Sequence, residues 1–316
     1  MTVDPHPIGW IENGFPRYTL INSIDFHPQE LLFCASFTQA NRIVFYRIDD
    51  KGKIVLVQTL SNPKACLSEP QHAVFSPDGS AVAVANWTNQ TILIFRRTKR
   101  GFYSSKPDLV IPAPPRLLSH KPHGIVFSPC GRFLAIAYGA AYYHPRAIAV
   151  FKMENGCELI DLLETPHIPK GIAYSPDGTA LLVTFSDANR MEIYDLGKER
   201  IFPMPRQIIE GSFDRPEDVK LSRDGNFCAV SNSSQNTVSF YRYDQQKNRI
   251  EPETPIALLE NLTFPHGLAF SADGAYLSVT EFGRVNSSLE GDIVWDLNTP
   301  AKEAKIKVFS LGKKLY

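Results

Sequence analysis

The sequence predicts an all-β chain: a six-bladed β-propeller of four-stranded antiparallel blades, the ring closed by the N-terminal strand joining the last blade. Three observations carry this. One phrase recurs at regular spacing, each copy runs on into the same series of short strands, and each chain end supplies what the other lacks. Composition agrees: of 316 residues, 43% are hydrophobic and 21% charged, and Lys+Arg 33 balances Asp+Glu 33. A zero balance argues against nucleic acid and anionic membrane as partners, since both call for a cationic surplus. All-β chains of this length often fold as one unit, so residues 1–316 read as a single domain.

The phrase reads PQHAVFSPDG from Pro70, PHGIVFSPCG from Pro122, PKGIAYSPDG from Pro169, PEDVKLSRDG from Pro216 and PHGLAFSADG from Pro265, with a degenerate copy, NSIDFHPQE, from Asn22. Its anchor residues, Phe26, Phe75, Phe127, Tyr174, Leu221 and Phe270, stand 47 to 52 residues apart. An apolar-x-aromatic run before a Pro/Asp-Gly turn is a strand meeting a tight turn. A second strand follows each turn: AVAVAN from Ala81, FLAIAY from Phe133, ALLVTF from Ala180, FCAVSN from Phe227, YLSVTE from Tyr276. A third ends on Tyr46, Phe95, Phe151, Tyr194, Tyr241 or Phe309, and a weaker fourth closes the unit, as in LVQTL from Leu56 and PIALLE from Pro255. No segment sustains a 3.6-residue apolar period, so no helix is expected. Four strands in each repeat of this length make a propeller blade.

The last repeat lacks a fourth strand, because only seven residues follow Phe309. The 21 residues before Asn22 have no first strand, yet PIGWIENGFP there echoes LLENLTFP, which follows the fourth strand of the fifth blade. The N-terminal segment is therefore expected as the outer strand of blade six. MTVDPHPIGW contains no basic-then-apolar leader, and no apolar run approaches the roughly 18 residues of a membrane helix. Five scattered cysteines, never spaced CxxC, read as free thiols in a reducing compartment, hence a cytoplasmic location with no zinc or disulfide framework.

In a propeller the first strand of each blade lines the central channel. The loops leading into it share a face with the loops joining second and third strands. Four residues before the anchors stands a polar ring: Asn22, Gln71, His123, Lys170, Glu217, His266. The next positions read Ser23, His72, Gly124, Gly171, Asp218, Gly267, the glycines matching tight backbone at the channel mouth. Simple alternation puts Ile24, Ala73, Ile125, Ile172, Val219 and Leu268 on the same side as the polar ring. Two insertions, Tyr138–Arg146 and Glu281–Pro300, fall between second and third strands, on the mouth face, where repeat proteins often bind. Candidate acid, base or oxyanion groups are His123, His266, Glu217 and Lys170. Candidate ligand contacts are Gln71, His72, Trp87, Tyr138, Tyr143, His144, Asp218, Glu281 and Arg284.

Each has a plainer explanation beside it. Lys170 and Glu217, on adjacent blades, suit an ion pair; a histidine at the mouth suits a backbone hydrogen bond; loop aromatics suit packing. Two histidines with Glu217 suit a transition metal by ligand type, but His123 and His266 lie three blades apart and are expected too distant to share an ion. No metal and no cofactor is expected. The motifs GxSxG, HExxH, GxGxxG and the Walker loop are absent.

In its recurring Ser-Pro-Asp-Gly phrase the chain resembles the YVTN and lactonase-like propellers, a set that shades into WD-repeat proteins. The resemblance spans nearly all of the chain. It implies the propeller fold and relatives that include sugar-lactone hydrolases, lyases and non-catalytic scaffolds. The lactonase group typically has seven blades, whereas this sequence has six repeats. Two functions follow. The favoured one is a cytosolic binding module recognising a partner protein or small ligand at the channel-mouth face. The alternative is a lactonase-like hydrolase or lyase acting there on a small polar substrate. A pocket with His, Glu and Lys within hydrogen-bond reach favours the enzyme; a flat aromatic face over a plugged channel favours the binder.

Overall fold

The computed structural model describes residues 3–12, 19–139, 146–154, 156–283, 286–287, 293–294 and 304–311. Its strands form six four-stranded antiparallel blades. The inner strands are Ile21–Phe26, Pro70–Phe75, Pro122–Phe127, Pro169–Tyr174, Pro216–Leu221 and Pro265–Phe270. In each blade the second and third strands follow outward in chain order. Blade five adds a short strand, Arg249–Ile250, against the end of its third, and Asn286–Ser287 pairs with Ile293–Val294 apart from the blade sheets. Among the described residues the sole helical element is a 3₁₀ turn, Pro115–Leu117.

The Ser-Pro-Asp-Gly turn explains its own recurrence. Ser76 Oγ donates to Asp78 Oδ1 at 2.6 Å while accepting the Ala81 amide at 2.9 Å, which clamps the turn between inner and second strands. The same pattern joins Ser175 to Asp177, Ser222 to Asp224 and Ser271 to Asp273. The glycine that ends each turn sits in the left-handed region, Gly79 at φ 70° and Gly178 at φ 73°, where a Cβ is strained. In blade three Cys130 takes the aspartate's place, its Sγ 3.3 Å from Ser128 Oγ.

Ring closure follows the N-terminal reading. Val3–Glu12 pairs antiparallel with Lys305–Leu311, with Trp10 opposite Lys307, Ile11 opposite Ile306 and Glu12 opposite Lys305. Blade six therefore runs outward from Pro265–Phe270 through Tyr276–Glu281 and Lys305–Leu311 to the N-terminal strand. The cores lie between blades. Cys34 and Phe45 of blade one, for example, pack with Val82 and Phe95 of blade two.

Simple alternation fails at one place in every inner strand. A register shift follows the residue that opens the strand, as between Pro122 and Ile125, and between Pro216 and Asp218. The other four inner strands shift at the same place. Such a bulge sends consecutive side chains to one side. Ile24, Ala73, Ile125, Ile172, Val219 and Leu268, all 0% exposed, consequently turn into the seams between blades rather than toward the channel.

Deleting residues 1–12 removes the outer strand of blade six and leaves the Lys305–Leu311 edge unpaired. The truncated chain is expected to melt more than about 5 °C below the full chain in a thermal scan; a change within a degree or two contradicts this closure.

Candidate active site at the channel mouth

Adjacent blades are joined at the mouth by a repeated device. The hairpin between second and third strands ends on a left-handed residue, Asn41, Gln90, Asn189 or Asn236. Its side-chain oxygen accepts the amide of the residue leading into the next blade. Asn41 holds Glu69 at 2.6 Å, Asn189 holds Arg215 at 2.7 Å and Asn236 holds Phe264 at 2.8 Å. Gln90 holds Ser119 in the same way at 3.0 Å. The starts of the inner strands of blades two, three, five and six are thus fixed by the blade before, while Ile168 and Leu20 are held by Asp187 and Gln39 of their own blades.

Below this level the inner strands touch one another directly. Ser23 Oγ accepts the Ala73 amide at 3.0 Å, His72 Nδ1 the Ile125 amide at 3.2 Å, and Asp218 Oδ2 the Leu268 amide at 2.9 Å. Where the equivalent residue is glycine, backbone meets backbone. A Cβ on Gly171 would stand 2.6 Å from Asp218 Cα, and one on Gly124 would stand 2.1 Å from the Lys170 carbonyl oxygen. These contacts bring six polar side chains together at one level. Asn22, Gln71, His123, Lys170, Glu217 and His266 surround a cavity of about 10 Å³, with His72, Gly171 and Asp218 beneath. That is room for roughly one water molecule.

Glu217 is the electrostatic centre of the cluster. Its side chain is 2% exposed and lies 3.8 Å from Lys170 Nζ, 3.4 Å from His266 Nε2 and 3.1 Å from Arg215 Nε. Burial pushes its carboxyl up, but Lys170, His266 and Arg215 outweigh this and hold it well below the usual carboxylate range. Burial, reinforced by Lys170, pushes His123 well below an ordinary histidine, so its imidazole is neutral at pH 7. Burial also lowers Lys170, with Glu217 opposing. His266 is oriented from two sides: Nδ1 lies 2.7 Å from the Asn22 carbonyl oxygen, and the ring stacks on Phe282 with centroids 4.4 Å apart. A carbonyl only accepts, so Nδ1 bears the hydrogen and Nε2 faces Glu217.

All four candidate chemical groups therefore meet at the mouth, joined by Gln71, His72 and Asp218. Trp87 is half-buried and stands edge-on to His123, centroids 6.2 Å apart. Two proposed contacts lie elsewhere. Tyr138 is 1% exposed and packs in the core shared by blades two and three. Glu281 is 0% exposed and pairs with Lys307 at 2.8 Å inside blade six. Both close their second strands, and the last side chain there turns into the blade. Tyr143, His144 and Arg284 lie outside the described residues.

The expected separation of His123 and His266 is overturned. Their ring centroids are 5.5 Å apart, and the His123, Glu217 and His266 donor atoms all lie within 4.8 Å of one another. Six inner strands in backbone contact make a channel so narrow that opposite blades touch. Repeat comparison also passed over Arg215 and Phe282. Arg215 precedes the leading proline, a position held elsewhere by Glu69, Lys121, Ile168 and Phe264, and that variability was the available signal.

Deeper in the channel the residues before the anchors read Asp25, Val74, Val126, Ala173, Lys220 and Ala269. Two charges stand among four apolar side chains. Lys220 Nζ lies 3.8 Å from Asp218 Oδ1 and 3.5 Å from His72 Nε2. Asp25 accepts the Phe75 amide at 2.8 Å, and burial, offset by Lys220, raises its carboxyl to about 6. These two groups floor a wider cavity of about 390 Å³ on the opposite face, walled by the anchors and the Ser-Pro-Asp-Gly turns.

The sequence profile of the family described as "Lactonase, 7-bladed beta-propeller" matches residues 23–206, more than half of the chain. The chain belongs to this lactonase family. Unlike the seven blades of that description, this lactonase-family propeller has six. The matched region carries His123 and Lys170; Glu217 and His266 lie beyond it. No curated protein matches in sequence. Among solved structures, the Pseudomonas aeruginosa periplasmic gluconolactonase is 18% identical, with TM-score 0.59 over 86% of this chain and 83% of its own. A candidate 6-phosphogluconolactonase from Bacteroides uniformis is 15% identical, with TM-score 0.62 over 86% and 82%. A luciferin-regenerating enzyme is 12% identical, with TM-score 0.67 over 98% and 96%. At such identities the likeness concerns the fold. The family assignment favours the hydrolase alternative over a pure binding module. No helix among the described residues is long and apolar enough to cross a membrane.

Two outcomes follow from the channel. Gly171→Ala pushes a methyl group into the backbone of the next blade and is expected to cost about 1–3 kcal/mol in denaturant unfolding. Asp25, raised from 3.8 to about 6, binds its proton more tightly in the fold than in the unfolded chain. Its contribution is therefore favourable at low pH and is lost as pH rises from about 4 to 6. Asp25→Asn cannot titrate, so its stability relative to wild type is expected to improve by up to about 3 kcal/mol between pH 4 and pH 7.

Proposed function

We propose that this chain is a lactonase-like hydrolase that opens the ring ester of a small polar substrate seated over the channel mouth. The observation that carries this is the convergence of His123, Lys170, Glu217 and His266, from four consecutive blades, on a water-sized cavity. In this reading a water in the cavity attacks the lactone carbonyl carbon and passes a proton to His266 Nε2, whose Nδ1–H is held by the Asn22 carbonyl. Glu217, kept anionic, stabilises the imidazolium that forms. The ammonium of Lys170 and the guanidinium of Arg215, 29% exposed at the rim, offset the oxyanion charge. As the tetrahedral intermediate collapses, the ring C–O bond breaks and the leaving alkoxide takes the proton back from His266. The product is an open hydroxy acid whose carboxylate can rest against Lys170 and Arg215. Five free cysteines suit a cytoplasmic setting for this enzyme.

One observation favours the binding-module reading instead. The ring's own ion pairs fill the mouth, so a ligand must sit on top of it, beside Trp87 and Arg215. The ring is also too buried to behave like surface, so its alanine variants carry a stability cost.

The test is hydrolysis of a panel of sugar-acid γ- and δ-lactones, followed by acid release. His266→Gln and Glu217→Gln are expected to lower kcat by about 10²- to 10⁴-fold. Asp78→Ala, in a turn on the opposite face, is expected to leave it unchanged. If Lys220→Met abolishes turnover while Glu217→Gln retains it, the site belongs to the opposite cavity and this reading is wrong.

A further inference from the structure

We infer that His123, Glu217 and His266, with Asn22 beside them, form a binding site for one divalent cation of the zinc class. The inference uses the cavity of the hydrolase reading but is tested by occupancy and needs no substrate; an ion bound there takes the His266 lone pair that the reading uses as its base. It begins with donor atoms that converge on one cavity. His266 Nδ1 donates to the Asn22 carbonyl, its Nε2 stands 3.4 Å from Glu217 Oε2, and the Lys170 ammonium lies 3.8 Å from that same oxygen.

The surrounding atoms point the same way. Glu217 spends Oε1 on Arg215, while its Oε2 is buried with no hydrogen-bond donor. Asn22 Oδ1 is likewise buried without a donor and borders the same cavity. Acceptor atoms thus converge from blades one, five and six, with a His123 ring nitrogen joining them from blade three. The three strongest donors lie within 4.8 Å of one another. Ligand bonds of about 2.0–2.2 Å put donor atoms roughly 3.3–3.5 Å apart around a tetrahedral ion, the separation already present between Nε2 and Oε2. One histidine is also held from behind. His266 is bonded through Nδ1 to the Asn22 carbonyl. Metal-ligating histidines are commonly oriented by such a bond on the second nitrogen.

Ligand chemistry selects the ion. Two imidazoles, a carboxylate and an amide oxygen suit zinc and its neighbours. Calcium needs six to eight oxygens and magnesium a near-octahedral oxygen shell. The competing cation is Lys170, whose ammonium lies 3.8 Å from Glu217 Oε2. The ion would push Lys170 outward from Glu217 Oε2.

The experiment is equilibrium dialysis of the full chain against zinc, with the exposed Cys66 and Cys130 alkylated, followed by metal analysis and by the visible spectrum of the cobalt(II)-loaded protein. One ion per chain is expected, with intense tetrahedral cobalt bands and no thiolate charge transfer, and zinc should raise the Tm by mass action. His123→Ala and Glu217→Gln, each checked for folding by a melt in metal-free buffer, are expected to lose more than the roughly 10- to 100-fold in affinity typical of outer-shell changes. Lys170→Met keeps every ligand, removes the competing charge and is expected to bind zinc more tightly. Substoichiometric zinc in the wild-type chain, or unchanged affinity in both ligand variants, overturns the inference. Zinc bound without any lactone hydrolysis keeps the site and removes only the hydrolase reading.

Discussion

The structure depends on how closely the six inner strands approach one another. At one level of the channel, each strand either spends a side chain on the next strand's amide, as Ser23, His72 and Asp218 do, or places a glycine there so that the backbones touch. This seam sets the bore of the channel, and the bore decides which side chains can meet. His123 and His266, half a ring apart, come within 5.5 Å because no wider opening separates them. A ring with an additional blade has a larger circumference, so the same residues there would stand apart. The six-blade count is therefore part of the chemistry at the mouth.

That chemistry is a charge cluster in a nearly dry place. Glu217 is surrounded by Lys170, Arg215 and His266, each from a different backbone position, and the cluster has little solvent to screen it. Burying such groups is costly unless partners compensate, and the compensation here is incomplete, since Glu217 Oε2 and Asn22 Oδ1 lack donors. Buried polar atoms without hydrogen bonds occur elsewhere in the fold too; what sets the mouth apart is that Glu217 and Asn22 both border one cavity. The neighbouring Asp218 and His72 differ, because each accepts a backbone amide and serves the seam.

The two ends of the channel differ physically. The mouth is narrow and highly charged, framed by left-handed asparagine hairpins that fix the starts of blades two, five and six. The opposite end is wide, lined by the aromatic anchors and proline turns, with Asp25 and Lys220 at its floor. Lys220, within 3.8 Å of Asp218, places a cation directly beneath the mouth ring. Charge thus extends along the axis from one face to the other.

The repeats alone determined the blade count, the strand order, the turn chemistry and the N-terminal closure. All of these follow from local patterns, or from arithmetic on the two chain ends. The polar ring was legible too, because superposing repeats exposes any position that varies where packing is uniform. Tertiary structure alone decided distances across the ring. A spacing of three blades along the sequence says nothing about the bore, which is set by glycines and seam bonds acting together. It also decided that Tyr138 and Glu281 face inward and that Ile24 and its equivalents leave the channel. A bulge reverses the alternation after the first residues of each inner strand, and a one-residue slip changes the face of every side chain beyond it.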